Sequence, residues 1–111
     1  MKAMKRKILK GTSASPGIIQ AKVYKIKNIT KPVEPKPGFI IVTEFTTPVI
    51  APAISQSKGI ICTTGGLTSH AAIIAREFNI PCLVGVKGAM KKLKDKQLII
   101  LDADKEIIYE A

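Results

Sequence analysis

The 111-residue sequence predicts a mixed α/β domain. Several short apolar runs have the length of strands, one longer segment has the composition of a helix, and a Gly-Gly pair joins a strand to that helix. A chain of this length has room for one domain, so residues 1–111 are predicted to fold as a single unit. With 46% hydrophobic and 23% charged residues, the composition is that of an ordinary globular domain and excludes large-scale disorder.

Turn and loop signals divide the first third of the chain. Residues 1–10 are rich in Lys and Arg, and we expect them to fray or to form the end of a short strand. Residues 11–17 are rich in turn-forming side chains, whereas the alternation of apolar and polar residues over 19–24 predicts a half-buried strand. The three prolines of residues 31–38 are incompatible with a helix or a sheet interior, so this segment is predicted to be an extended surface loop.

One clear helix is predicted in the remainder of the chain. Residues 68–78 contain strong helix formers without Gly or Pro, and Asn79-Ile80-Pro81 ends them. Thr47 followed by Pro48 is typical of the N-cap and first turn of a shorter helix. Further strands are predicted at 39–42, 60–64, 82–86, 97–101 and 106–109, with one helical turn at 89–93.

The charge balance invites a nucleic-acid interpretation. Eighteen Lys and Arg stand against eight Asp and Glu, which gives a net charge of +10. The five aromatic residues do not cluster with the lysines, however, and single-stranded nucleic acids are usually bound by stacking on aromatic rings. The composition therefore argues against nucleic-acid binding, and leaves a self-repelling soluble surface or docking to an acidic partner as alternatives.

The cysteines and the hydropathy pattern exclude several other classes. Cys62 and Cys82 lie in apolar stretches without a CxxC spacing, and His70 is not placed to complete a zinc site with them. We therefore expect buried, reduced thiols and no metal site. The sequence contains no signal-peptide core and no apolar run near the roughly 20 residues that a membrane span needs. We predict a cytoplasmic protein without a membrane segment.

The candidate chemistry is concentrated around the only histidine. His70 follows Gly65 and Gly66 at the start of the predicted helix, where the helix dipole disfavours a protonated imidazole and the free N–H groups can bind a phosphate. The two glycines give the turn access to positive φ, and Thr68 and Ser69 offer hydroxyls to cap the helix or bind phosphate. The spacing alone leaves a surface histidine with ordinary capping residues as an alternative to a phosphoryl acceptor.

Residues 65–85 closely resemble the phosphohistidine signature of the PEP-utilising enzymes. This family includes phosphoenolpyruvate synthase, pyruvate phosphate dikinase and enzyme I of the sugar phosphotransferase system. The elements G-G-x-T-S-H-x-A-I-x-A-R-x-x-x-I-P are all in place. Weaker similarity covers 11–24, 39–48 and 93–102, so the resemblance extends over most of the chain.

The resemblance implies a fold and a role for individual residues. The fold is a swivelling β/β/α three-layer domain with mixed sheets and one main helix following the Gly-Gly turn. His70 falls on the phosphorylated position, and Thr68 matches a threonine that regulatory kinases modify in pyruvate phosphate dikinases. Arg76 matches the motif arginine, but it lies about 240° round the helix from His70. A structural or docking role for Arg76 is therefore as well supported as a contact with the same phosphate.

The resemblance also implies a function that depends on partners. We expect a stand-alone phosphohistidine domain or subunit that carries a phosphoryl group on His70 between a nucleotide-binding partner and a PEP/pyruvate-type partner. Such a component of a phosphotransferase is incomplete alone: it binds no cofactor itself, and Mg²⁺ and ATP or PEP belong to the partner domains. The alternatives are a non-catalytic regulatory or interaction module of the same fold and, with less support, a basic nucleic-acid-binding protein.

Overall fold

A computed structural model of the chain describes residues 6–111. Within these residues the chain forms eight strands and three short helices. In chain order the elements are β1 (Lys7–Lys10), β2 (Thr12–Ser15), β3 (Ile18–Ile26), β4 (Phe39–Thr43), α1 (Ala51–Ile54), β5 (Gly59–Cys62), α2 (His70–Glu77), β6 (Cys82–Val84), α3 (Ala89–Lys92), β7 (Leu98–Asp102) and β8 (Ile107–Glu110).

The strands form one mixed sheet in the order β1-β8-β7-β3-β4-β5-β6-β2. Its centre is parallel: β3, β4, β5 and β6 pair with one another in the same direction. The pairs β3–β7, β7–β8, β1–β8 and β2–β6 are antiparallel. The predicted mixed α/β class is therefore confirmed, with the mixed strand directions combined in one continuous sheet.

Both faces of the central strands are buried. On β4, Ile41 packs into a cluster with α1 and α2, whereas Ile40 and Val42 face a second cluster. A parallel strand covered on both sides reads as a continuous apolar run, and the sequence Phe39–Val42 has this pattern. Helix α2 packs on β2, β5 and β6, so one of the two cores lies between this helix and the sheet.

The second core lies between two parts of the same sheet. Leu101 of β7 packs in it with Ile61 of β5, although β3 and β4 separate these strands in the sheet order. The approach is so close that a Cβ on Gly59 would lie 2.9 Å from Leu101 Cδ2. The sheet therefore curls over onto itself, and with α2 outside it the result is the three-layer β/β/α arrangement that the resemblance implied.

Gly11 joins the two edges of the curled sheet. The edge strands β1 and β2 are consecutive in the chain and only Gly11 separates them. Its N–H donates to the carbonyl of Glu106 at 3.2 Å. A Cβ at this position would meet Val86 Cγ2 at 2.5 Å and Val84 O at 2.8 Å. The chain can thus pass from one edge to the other because this residue has no side chain.

Two predictions of local structure were wrong. The helix expected to begin at Thr47 and Pro48 begins at Ala51, with Ile50 as N-cap. The Thr47 hydroxyl donates to the carbonyl of Ile29 at 2.7 Å and is not available as a cap. Residues 11–17, interpreted as a turn, include strand β2, because the pairing partner that makes it a strand is the distant β6.

The other predicted elements are found within one or two residues of their expected bounds. The main helix begins at His70, two residues later than predicted, because Ser69 caps it. The proline-rich residues 31–38 contain no helix or strand. Strand β1 occupies 7–10, and the expectation for residues 1–5 lies outside the described residues. None of the helices within 6–111 has the length and apolar character needed to cross a membrane.

We expect Gly11→Ala to destabilise the domain. The added methyl group would press on backbone and side-chain atoms that cannot both move aside, at a cost of roughly 1–3 kcal/mol. A domain of this size loses about 4–8 °C in Tm for each kcal/mol, which thermal unfolding would measure. Gly66→Ala is the matched control, because a Cβ there meets nothing within 4 Å and its φ is not positive. Equal Tm values for the two variants would contradict the steric argument.

Candidate active site

The site lies where the central parallel strands end. Because β4 and β5 run side by side in the same direction, the loops that follow Thr43 and Cys62 leave the sheet at one edge. The loop after β5 leads through Gly65 into α2, whose first helical residue is His70. The N–H groups of His70 and Ala71 make no hydrogen bond with any described residue. They therefore remain available to an anion at the positive end of the helix.

Ser69 and Gly65 shape the start of the helix. Ser69 is the N-cap in extended conformation, and its hydroxyl accepts a hydrogen bond from the N–H of Ala72 at 3.4 Å. Gly65 has φ +101°, and a Cβ on it would lie 3.3 Å from both Cβ and Oγ of Ser69. A side chain at Gly65 would thus be strained and would crowd the cap. The expectation of positive φ is wrong for Gly66, whose φ is not positive.

Thr46 contacts the imidazole from the neighbouring loop. Its Oγ1 lies 2.8 Å from Nδ1 of His70, and the residue is only 8% exposed. No hydrogen bond joins Nε2 of His70 to any residue from 6 to 111. The contact fixes the ring orientation and leaves Nε2 as the nitrogen without a protein partner. Sequence reasoning did not identify Thr46 as a site residue, although the segment that resembles the family includes it.

A pocket of about 150 Å³ opens beside the imidazole. It presents hydroxyl groups and the helix N-terminus, and none of its lining residues is acidic. The lining residues are Phe45, Thr46, Cys62, Thr64, Gly65, Ser69, His70 and Ala71. Such a cavity offers hydrogen-bond donors to an anion next to an imidazole nitrogen. Within the described part of the chain, no three His, Cys, Asp or Glu side chains come together as a group that could hold a metal.

The remaining residues predicted from the sequence do not line the pocket. Gly66 and Thr68 are exposed in the turn before the helix and are not among its lining residues. Arg76 lies in the last turn of α2, and its Nε donates to the carbonyl of Ala14 in β2 at 3.0 Å. The structure thus brings Gly65, Ser69 and His70 together. It gives Arg76 a contact that ties the helix to the sheet edge.

Both cysteines are buried free thiols, as predicted. Burial, with a smaller effect of the neighbouring Cys82, raises the pKa of Cys62 far above its ordinary value. Burial also raises the pKa of Cys82, from 9.0 to about 12, against a smaller lowering by Arg76. Cys62 borders the pocket, but a thiol that holds its proton this firmly is a poor nucleophile at neutral pH.

The raised thiol pKa values predict that stability falls in alkali. The folded state holds these protons more tightly than the unfolded chain, so the stabilisation is complete below pH 9 and is lost as pH rises toward 12. Each thiol should lower the free energy of unfolding by about 1.4 kcal/mol per pH unit in this range. Urea unfolding at several pH values between about 8 and 10.5 would measure this fall in the free energy of unfolding. A variant with Cys62→Ala and Cys82→Ala should lose less stability per pH unit, and equal slopes would contradict the argument.

Comparison with known sequences identifies the family. Residues 35–106, more than half of the chain, match the family model described as PEP-utilising enzyme, mobile domain. The probable phosphoenolpyruvate synthase of Methanothermobacter thermautotrophicus is 41% identical over 103 residues, which are 93% of this chain and 15% of the relative. The phosphoenolpyruvate synthase of Pyrococcus furiosus is 43% identical over 103 residues, 93% of this chain and 13% of the relative.

A further relative and one solved structure agree with this similarity. The rifampicin phosphotransferase of Bacillus subtilis is 39% identical over 89 residues, 80% of this chain and 10% of the relative. The chain thus spans less than a sixth of the length of these relatives. The NMR structure of Enzyme I is 28% identical with a TM-score of 0.57, and the match covers 66% of this chain and 30% of that one.

The other structure shares the fold alone. Aconitase X of Thermococcus kodakaraensis superposes with a TM-score of 0.68 at 21% identity, over 91% of this chain and 95% of that one. The residues matched by the family model, 35–106, include all those that line the pocket beside His70. The chain belongs to the PEP-utilising enzyme mobile-domain family.

Proposed function

We propose that this chain is a phosphohistidine carrier that takes a phosphoryl group onto His70 from a nucleotide-binding partner and delivers it to a PEP/pyruvate-type partner. The observation that carries the proposal is the imidazole at the N-terminus of α2, oriented through Nδ1 by Thr46, in a chain of this family. Since the chain spans about an eighth to a seventh of its synthase relatives, we assign the nucleotide and PEP sites, with their Mg²⁺, to the partners.

The geometry supports Nε2 as the attacking atom. A neutral imidazole carries one proton, and with that proton on Nδ1 the ring donates to Thr46 Oγ1 while Nε2 keeps its lone pair. Nε2 then forms a bond to phosphorus as the bond from phosphorus to the donor's bridging oxygen breaks, and that oxygen leaves with the electron pair. The Nδ1 proton stays on the ring. In the second transfer an acceptor oxygen, such as the enolate oxygen of pyruvate, attacks phosphorus and the N–P bond breaks.

The helix N-terminus supports the phosphorylated form. In the proposed phosphorylated form, the N–H groups of His70 and Ala71 and the hydroxyl of Ser69 would offer hydrogen bonds to phosphoryl oxygens. An anion at this position gains about 0.3–1 kcal/mol from the helix dipole when exposed, so the dipole tunes the site rather than driving the transfer. Gly65 supports this arrangement by allowing Ser69 to cap the helix. We assign Arg76 the structural tie described above.

The surface next to His70 supports docking to a partner. Three large apolar side chains near it are unusually exposed: Phe45 at 44%, Leu67 at 49% and Ile73 at 55%. Phe45 borders the pocket, Leu67 lies in the turn before α2, and Ile73 is one helical turn from His70 on the same face. A docked partner would cover them and exclude water from the phosphoryl group. Gly66 and Thr68 lie in the same exposed turn and would face that partner, and the net charge of +10 favours one that is acidic.

A transfer assay in trans would test the proposed function. Phosphoenolpyruvate synthase of Pyrococcus furiosus, with its matching histidine replaced by alanine, would be mixed with this chain and radiolabelled phosphoenolpyruvate. We expect an acid-labile, alkali-stable label on the wild-type chain and none on His70→Ala. Equal labelling of both chains would contradict the carrier role. A complex whose activity survives His70→Ala would instead support a regulatory module.

We also expect Thr46→Val to change the tautomer of His70. In the proposed tautomer Nδ1–H donates to Thr46 Oγ1; valine keeps the size of threonine but removes this acceptor, so the population with a proton on Nε2 should increase. Nitrogen NMR of histidine-labelled protein reports this directly, because the chain has one imidazole. Thr12→Val, on the exposed part of β2, is the control and should leave the spectrum unchanged. An unchanged spectrum in Thr46→Val would show that the contact does not select the tautomer.

A further inference from the structure

A buried hydroxyl at the end of β4 has no part in the function proposed above. Thr43 is 0% exposed, and its Oγ1 lies 3.1 Å from the carbonyl oxygen of Ile26 and 3.2 Å from that of Phe45. One hydroxyl hydrogen therefore serves two carbonyl groups, one on the neighbouring strand β3 and one in the loop that leads to the site. A buried threonine in this position fixes the direction in which the chain leaves the sheet.

The same loop is held from its other side by the segment after β5. The carbonyl oxygen of Glu44 lies 3.0 Å from the N–H of Thr64, 2.9 Å from the hydroxyl of Thr64 and 3.3 Å from the hydroxyl of Thr63. Three donors on two adjacent residues thus converge on one carbonyl group. This bond set ties the loop that carries Thr46 to the loop that carries Gly65.

These two sets of bonds act on consecutive peptide groups. Residues 44–46 belong to no helix or strand, yet the carbonyl groups of Glu44 and Phe45 are both fixed immediately before Thr46. A rotation of either peptide group would displace Thr46 Oγ1 from His70 Nδ1 and lengthen the 2.8 Å contact. A hydrogen bond weakens steeply with such displacement, so the orientation of the imidazole depends on groups that do not touch it.

We propose that Thr43, assisted by Thr63 and Thr64, is a positioning residue that places Thr46 beside Nδ1 and so, with Thr46 Oγ1 as the acceptor of Nδ1–H, favours the His70 tautomer with Nε2 unprotonated. The catalytic consequence rests on the proposed function, but the effect on the imidazole does not require a partner. Removal of the Thr43 hydroxyl leaves the carbonyl groups of Ile26 and Phe45 without this donor, and the loop gains freedom. The tautomer preference should then weaken even though His70 and Thr46 are both intact.

The test compares Thr43→Val with variants matched in chemistry. Thr43→Ser keeps the hydroxyl and should restore wild-type behaviour. Ser57→Ala removes a similar group: Ser57 is 8% exposed and its hydroxyl lies 2.8 Å from the carbonyl oxygen of Ile54 and 3.1 Å from that of Gly59. Ser57 precedes β5, whereas the site follows it, so the two hydroxyls lie toward opposite ends of that strand. Ser57→Ala should therefore reduce stability without altering the imidazole.

A second variant covers the case in which Thr43→Val does not fold. Thr63→Val with Thr64→Val removes two hydroxyl donors to Glu44 from half-buried and exposed positions, where the loss is tolerated by the core. Nitrogen NMR of the labelled imidazole is the first measurement. We expect the ratio of the Nδ1–H to the Nε2–H form to fall about tenfold in Thr43→Val and by a smaller factor in the double variant. The rate of labelling in the transfer assay should fall in parallel.

Two outcomes separate the positioning role from the proposed function. If a folded Thr43→Val and the double variant keep the wild-type imidazole spectrum, or if Ser57→Ala changes it equally, the positioning role is overturned. If the spectrum changes as expected while even the wild-type chain takes no label, the positioning role stands and the carrier function fails. A change that Thr43→Ser does not reverse would assign the effect to packing and overturn the role of the hydroxyl.

Discussion

The parallel pairing of β4 with β5 is the constraint on which the site depends. The register sets Thr43 opposite Cys62, so both strands end at the same level and their loops leave the sheet side by side. One loop supplies Thr46 and the other leads to His70, and a 2.8 Å contact joins them across 24 positions of sequence. A shift of the β4–β5 register by one residue would turn every side chain of β4 to the opposite face and would separate the two loops. The two cores that cover β4 make such a slip costly.

The curling of the sheet explains how the ends of β4 and β5 can be well supported and still leave the site accessible. Gly11 lets the chain continue from one sheet edge to the other, and Gly59 lets Leu101 pack close to β5. The strands therefore form a curved, closely packed platform, and the candidate site residues lie in loops at the ends of the strands or at the start of α2. The proposed carrier function would use this combination, because the nitrogen that takes the phosphoryl group would have to enter a partner's site without losing its orientation. Long-range strand pairings hold the platform together, and the exposed side chains of Phe45, Leu67 and Ile73 offer a surface that a partner would cover in the proposed function.

The sequence predicted what depends on local patterns. The continuous apolar run of 39–42 and the capped segment from Ser69 contain their own signals, so the strand and the helix were found within two residues. Strand β2 has no such signal, because it exists through pairing with β6. Thr47 looked like a helix cap, since Thr before Pro usually is one, but the fold uses its hydroxyl to hold Ile29. In each failure a partner distant in sequence outweighed the local preference.

The same distinction applies to the site. His70, Gly65 and Ser69 lie within six residues, and a motif can describe them, whereas Thr46 and Thr43 reach the site through the sheet. A helix N-terminus can bind an anion, whereas the hydrogen bond made by one imidazole nitrogen influences which nitrogen carries the proton. In the proposal above, that hydrogen bond is made by Thr46 Oγ1, which the loop after β4 holds beside Nδ1. The proposed carrier chemistry therefore assigns a part to threonine hydroxyls beyond the signature as well as to the histidine within it.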